Sequence, residues 1–130
     1  MGALLDTSVV LDLDQAAVVA ALPADCSISA LTLAELAAGP TLASDKLDAA
    51  RRQFRLQQVE ALFSTLAFDA DAARAYGQVV AAIAAHGRSP RPRVIDLLIA
   101  SVAIAHGLDL YTRSSRDVAG LDALLRVVRV

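Results

Sequence analysis

The sequence predicts an α/β fold: a single domain over residues 1–130, layered α/β/α around a short, mostly parallel sheet of four to five strands. Three observations point there. Short apolar runs rich in branched residues alternate with longer Ala- and Leu-rich segments of helical period, the pattern of successive βα units. A chain of 130 residues that is 56% hydrophobic can bury one sizeable core and is too short for two. The long periodic segments also stop at Gly, Pro or His, as helices do.

Taken in order, Ala3–Leu5 is a buried strand that ends at Asp6, and Val9–Ala21 is the helix after it. The apolar run Cys26–Ser29 is the second strand. A helix over Thr32–Ala38 follows, with Thr32 and Glu35 at capping-box spacing and Gly39-Pro40 behind it. Ser44–Phe63 reads as a long helix, Leu66–Phe68 as a strand and Ala70–His86 as a helix closed by Gly87. Arg93–His106, closed by Gly107, is almost wholly apolar apart from Asp96 in its first turn. Leu108–Tyr111 and Val127–Val130 complete the sheet, with one more turn near Leu121–Leu125. His86 and His106 sit in last helical turns, where the helix dipole favours a cation, so both read as caps.

Composition excludes several classes. The net charge of −2 argues against a basic nucleic-acid coat. The most apolar stretch, "VIDLLIASVAIA", is interrupted by Asp96 and Ser101 and is too short to span a bilayer, and no leader pattern opens the chain, so a cytoplasmic protein is expected. The single cysteine, Cys26, excludes an internal disulfide or a multi-cysteine metal site and reads as core. No glycine-rich phosphate loop, dinucleotide fingerprint or serine nucleophile elbow is present.

Four acids remain, each with a structural reading beside a chemical one. Asp6 in "DTS" suits an Asx turn or helix N-cap; Glu35 suits the capping box; Asp96 suits a helix N-terminus; Asp117 in "SSRD" suits a turn. In a parallel α/β sheet, however, strand ends and helix starts share one edge, and that edge is where sites form. All four acids can therefore face one cleft. Crowded carboxylates raise the pKa of at least one of them unless a cation lies between, and an all-oxygen set selects Mg2+ or Mn2+ over Zn2+. Phosphodiester hydrolysis is the matching chemistry.

"LLDTSVVL", "ISALTLAEL", "PRVIDLLIASVAIAHGLDLYTRSSRDVAGL" and the terminal "VVRV" together resemble PIN domains, specifically the VapC-type toxins of prokaryotic toxin–antitoxin modules, over nearly the whole chain. The resemblance implies a PIN-like fold and an endoribonuclease dependent on Mg2+ or Mn2+, with Asp6, Glu35 and Asp96 at the family's metal-binding acidic positions. Asp6 and Asp96 would bind the metal directly, Glu35 would bind it through water or orient the nucleophile, and Asp117 would close the cluster. Asp117 matches the Asp of the family's C-terminal T-R-N-x-R-D-F segment. This chain departs from that segment at Ser114, where Asn or Asp is usual, and at Val118, where Phe is common. Serine is a weaker metal partner, so a second metal position would either be weak or rely on Asp117 through water. Thr7 and Thr112 would orient Asp6 or bound water, or simply stabilise turns, and Ser114 lies beside them. Products with a 5′-phosphate and 3′-hydroxyl are implied, because water attacks and not the ribose.

RNA near an acidic cleft needs cations at its rim. "GRSPRPR" offers Arg88, Arg91 and Arg93, and "TRSSR" adds Arg113 and Arg116, whereas Arg51, Arg52 and Arg55 read as a solvated helix face. With three Phe, two Tyr and no Trp, recognition would rest on the shape of a structured RNA, tRNA or rRNA, more than on stacking. The resemblance also implies a cognate VapB-type antitoxin, with contact with DNA only through it; the matching surface would include Leu33–Ala38 and Ser44–Phe63, whose apolar residues read equally well as core, and the high apolar fraction points to a homodimer. The competing readings are a PIN-fold module that binds RNA or antitoxin without cutting, which Ser114 would suit, and a phosphatase or phosphoacceptor domain. The latter lacks an Asp two residues after Asp6 and a late Lys, the one lysine being Lys46.

Overall fold

The structure is a computed structural model and describes residues 2–130. Its strands are β1 (Ala3–Leu5), β2 (Cys26–Ser29), β3 (Ser64–Leu66), β4 (Asp109–Thr112) and β5 (Val127–Arg129). Its helices are α1 (Thr7–Val10), α2 (Ala16–Ala20), α3 (Ala30–Ala38), α4 (Lys46–Leu62), α5 (Ala70–Ala85) and α6 (Val94–His106). Single 3-10 turns cover Arg91–Arg93 and Ser115–Val118. The five strands form one sheet in the order β3-β2-β1-β4-β5, every neighbouring pair parallel.

Parallel strands buried on both faces should be continuously apolar, and β1 is: Ala3, Leu4 and Leu5 are all buried. Alternation then divides the core. Leu4, paired with Leu110 on β4, faces α5 and α6 and packs with Val79, Ile83, Ile99 and Val102. Leu5, paired with Ile28 on β2, faces the other layer and packs with Val9, Val18, Leu36 and Val59. Because α6 is buried on most sides, its polar Ser101 is satisfied internally, donating to the Leu97 carbonyl at 2.7 Å. Strand order reverses about β1, between β2 and β4, and this is where a crevice opens beyond the carboxyl ends of the strands.

Several elements differ from expectation. The single helix over Val9–Ala21 is two short ones. Asp6 caps α1, which therefore starts at Thr7, and Asp12 and Asp14, unfavourable at a helix C-terminus, leave a turn before α2. Helix α3 starts at Ala30 and is capped by Ser29, whose Oγ accepts from the Thr32 N–H at 3.2 Å, so the Thr32–Glu35 capping box does not form. Strand β3 ends at Leu66, two residues before the expected Phe68, because Asp69 caps α5 and Phe68 turns into the core. Leu121–Leu125 is one hydrogen-bonded turn. Helix α6 ends at Gly107 with φ 65°, a conformation that favours glycine. His86 closes α5 through Nδ1, 2.9 Å from the Ala82 carbonyl.

Candidate metal centre

Asp6 is the first residue beyond β1, tied to β4 by its N–H on the Tyr111 carbonyl at 3.0 Å. Its carboxylate is held from two sides, Oδ1 accepting from the Val9 N–H at 3.2 Å and from Ser8 Oγ at 2.5 Å. It is 7% exposed, and burial pushes its pKa up, opposed by hydrogen bonds from Ser8, Thr112 and the Val9 N–H. The capping and chemical readings of Asp6 are thus compatible: one oxygen caps α1 while the group stands at the crevice.

Thr7 does not orient Asp6. Its Oγ1 donates to Glu35 Oε1 at 2.6 Å and lies 3.1 Å from the hydroxyl of buried Thr32, so it positions the acid of α3. Ser8 instead serves Asp6 and also accepts the Arg113 N–H at 2.9 Å, joining the ends of β1 and β4. The "DTS" string hinted at this role, but no individual role for Ser8 was legible in it. Thr112, 1% exposed, accepts the Ser114 N–H at 3.0 Å and bonds to Asp6. Ser114 precedes the second 3-10 turn and lines a separate cavity with Arg113, Arg116 and Arg129.

Asp96 stands in the first turn of α6, whose N-terminus has no side-chain cap. Its pKa is pushed up to about 6, first by burial and then by the charges of Asp117, Asp6 and Glu35, with Arg93 opposing. The four acids therefore share one field at the carboxyl edge of the sheet, although they come from β1, α3, α6 and the turn after β4. Among the described residues, no three His, Cys, Asp or Glu side chains close into a ligand shell by themselves. Carboxylates and hydroxyls without thiolate or imidazole fit a hard divalent cation, and mutual repulsion is what such an ion relieves.

The arginines divide. Arg88 donates to the carbonyls of Arg116 and Ala119 at 3.1 and 3.3 Å, clamping the second 3-10 turn. Arg113 is committed to Asp12 at 3.0 Å and to the Val130 carbonyl at 2.9 Å. The structure thus gives these two architectural contacts where the sequence suggested free rim cations. Arg91 and Arg116 are exposed, and Arg93, beside Asp96, keeps a buried Nε without a partner. Arg51, Arg52 and Arg55 are not merely a solvated face: they line a cavity of about 440 Å3 together with Thr7 and Glu35.

The profile of the family described as PIN domain matches residues 3–118. Among solved structures, VapBC-5 from Mycobacterium tuberculosis, a member of the VapBC family of toxin–antitoxin systems, is similar at 34% identity and a TM-score of 0.85, covering 99% of this chain and 98% of that one. FitAcB from Neisseria gonorrhoeae is similar at 30% identity and TM-score 0.81, covering 98% and 96%. VapBC2 from Rickettsia felis, solved bound to a DNA fragment from its promoter, shares the fold at 21% identity and TM-score 0.77, covering 100% and 99%. Comparison with curated proteins finds no match.

Proposed function

The chain belongs to the PIN domain family, in its VapC-type toxin branch, and on that premise we propose that it is an endoribonuclease toxin that hydrolyses a phosphodiester of structured RNA, tRNA or rRNA, with Mg2+ as cofactor and Mn2+ able to replace it. The observation that carries this reading is the convergence of Asp6, Glu35, Asp96 and Asp117 at one edge of the sheet, where burial first, and then the charges of Asp117, Asp6 and Glu35, push the Asp96 pKa up to about 6. Asp6 and Asp96 would hold the ion directly, and Glu35 and Asp117 through water. When bound, such an ion makes water a stronger nucleophile and offsets charge developing on the phosphoryl group.

The chain's own residues position this chemistry. Ser8 and the Val9 N–H hold the Asp6 carboxylate, and Thr7 holds Glu35. Arg91, Arg93 and Arg116 supply cations for backbone phosphates near an otherwise acidic cleft. No side-chain nucleophile is needed, so the products carry a 5′-phosphate and a 3′-hydroxyl.

A VapB-type antitoxin would restrain the activity and carry the only contact with DNA. Leu42, Leu47, Phe54 and Leu62, each more than half exposed on or beside α4, support such a partner, and a homodimer is the expected assembly. No helix among the described residues is long and apolar enough to cross a membrane, and the proposed site of action is the cytoplasm. The test is incubation of partner-free protein with total RNA in Mg2+, in Mn2+ and in EDTA, with new 5′ ends mapped. Discrete metal-dependent cuts, absent in Asp6→Ala, are expected; a folded protein that binds RNA without cutting it overturns the nuclease reading in favour of a binding module.

A further inference from the structure

From the cavity between α1, α3 and α4 we infer that this chain carries a nucleotide-binding subsite, which takes one unstacked nucleotide of the RNA beside the bond to be cut. The inference rests on the nuclease reading above. The cavity, about 440 Å3, lies within the roughly 300–1,000 Å3 of small-ligand clefts. Thr7 and Glu35 form part of its wall and also belong to the acidic centre, so a chain engaged at the acids has its neighbouring nucleotide at this mouth. The opposite wall is cationic. Arg52 is fixed by the Gly39 carbonyl at 3.1 Å and Asp48 at 3.1 Å, and Arg55 by the Val10 carbonyl at 3.3 Å. Arg51, exposed and in no ion pair among the described residues, is free to meet a phosphate or lay its guanidinium plane on a base.

Leu11, 55% exposed, and Leu36 add apolar surface between the charged groups. The free guanidinium of Arg51, beside two arginines already held by Asp48, Asp14 and backbone carbonyls, together with aliphatic surface in one recess, suits a nucleotide. These groups also answer the scarcity of aromatic residues, since the chain has no Trp and only two Tyr. A purely electrostatic rim would hold any polyanion, whereas a recess next to the reacting bond can select which nucleotide flanks it.

The experiment follows the backbone amides of the full chain by NMR, without divalent metal, during additions of the four ribonucleoside 5′-monophosphates to about 10 mM, the range in which millimolar binding is resolved. Inorganic phosphate is added to a parallel sample. At least one nucleotide, but not phosphate, should shift Leu11, Leu36 and Gly39, and binding should weaken at least about fivefold in Arg51→Glu and in Leu11→Ala, both exposed substitutions. No shift at these amides, equal shifts with phosphate, or undiminished binding in Arg51→Glu overturns the inference. Cleavage separates the two readings. A protein that takes nucleotides here without cutting RNA keeps the subsite and loses the nuclease; one that cuts RNA with none of these shifts keeps the nuclease and loses the subsite.

Discussion

The Thr7 hydroxyl donates to Glu35 at 2.6 Å, so the residue directly after Asp6 anchors an acid that lies 28 positions later on a different helix. Two of the four acids are thereby set by adjacent residues of one short turn: Ser8 serves Asp6 and Thr7 serves Glu35. Thr7→Val should free Glu35 and reduce RNA cleavage by about ten- to a hundredfold, the usual cost of losing an outer partner of a metal ligand. Thr7→Ser should retain most activity, and equal losses in both variants would contradict the hydrogen-bond role.

The raised Asp96 pKa fixes a pH dependence of the metal-free protein. Below the ordinary value of 3.8 the group is neutral folded or unfolded and contributes nothing. Between 3.8 and about 6 the folded state binds more protons than the unfolded one, so stability falls as pH rises through this window. Above it the folded state carries the full cost of a partly buried carboxylate and of its repulsion by Asp117, Asp6 and Glu35. Asp96→Asn should therefore stabilise the metal-free protein by about 1 kcal/mol at pH 7.5, allowing for solvent screening of a partly exposed group, and not at pH 3.5. The same variant should abolish cleavage. Denaturant melts at the two pH values check the sign.

Arg88 and Arg91, three residues apart, should fail differently. Removing Arg88 breaks two hydrogen bonds to the turn that carries Asp117, so Arg88→Ala should cost about 1–2 kcal/mol. Exposed Arg91 touches no such structure, and Arg91→Ala should leave Tm unchanged while reducing the slope of log K for RNA against log salt by about 0.7–0.9. Thermal melts and binding at several salt concentrations separate the two.

Arg113 joins Asp12, ahead of α2, to the carbonyl of the last residue, Val130, and its own N–H meets Ser8. Arg113→Ala should lower stability and disturb Asp6 through Ser8, whereas Asp12→Ala should lower stability alone, by about 1 kcal/mol. Unchanged melts in both would remove this architectural role.

How much of this the sequence disclosed depends on the range of each interaction. The positions of Asp6 and Asp96 in the fold are legible because a strand end and a first helical turn are local signals. Spacing alone pairs Glu35 with Thr32, since nothing local reveals that Ser29 takes the cap first. The partner of Arg113 lies 101 positions away, and the wall made by Arg51, Arg52 and Arg55 exists only once α4 crosses in front of α3. Local composition therefore suggests one role for each arginine group, and tertiary contacts give it another. β3, an edge strand with exposed Ser64 and Thr65, has too little apolar pattern to fix its register, whereas fully apolar β1 was placed at its observed bounds.

The shared field of the four acids is tested most directly by titrating the Asp96 side-chain carboxyl by NMR, with and without Mg2+ and in Asp117→Asn. Without metal the pKa should lie at about 6. It should fall in Asp117→Asn, which removes one repelling charge, and fall below the ordinary carboxylate range when Mg2+ is present. A pKa indifferent to both Mg2+ and Asp117 would mean that the acids do not act as one cation site.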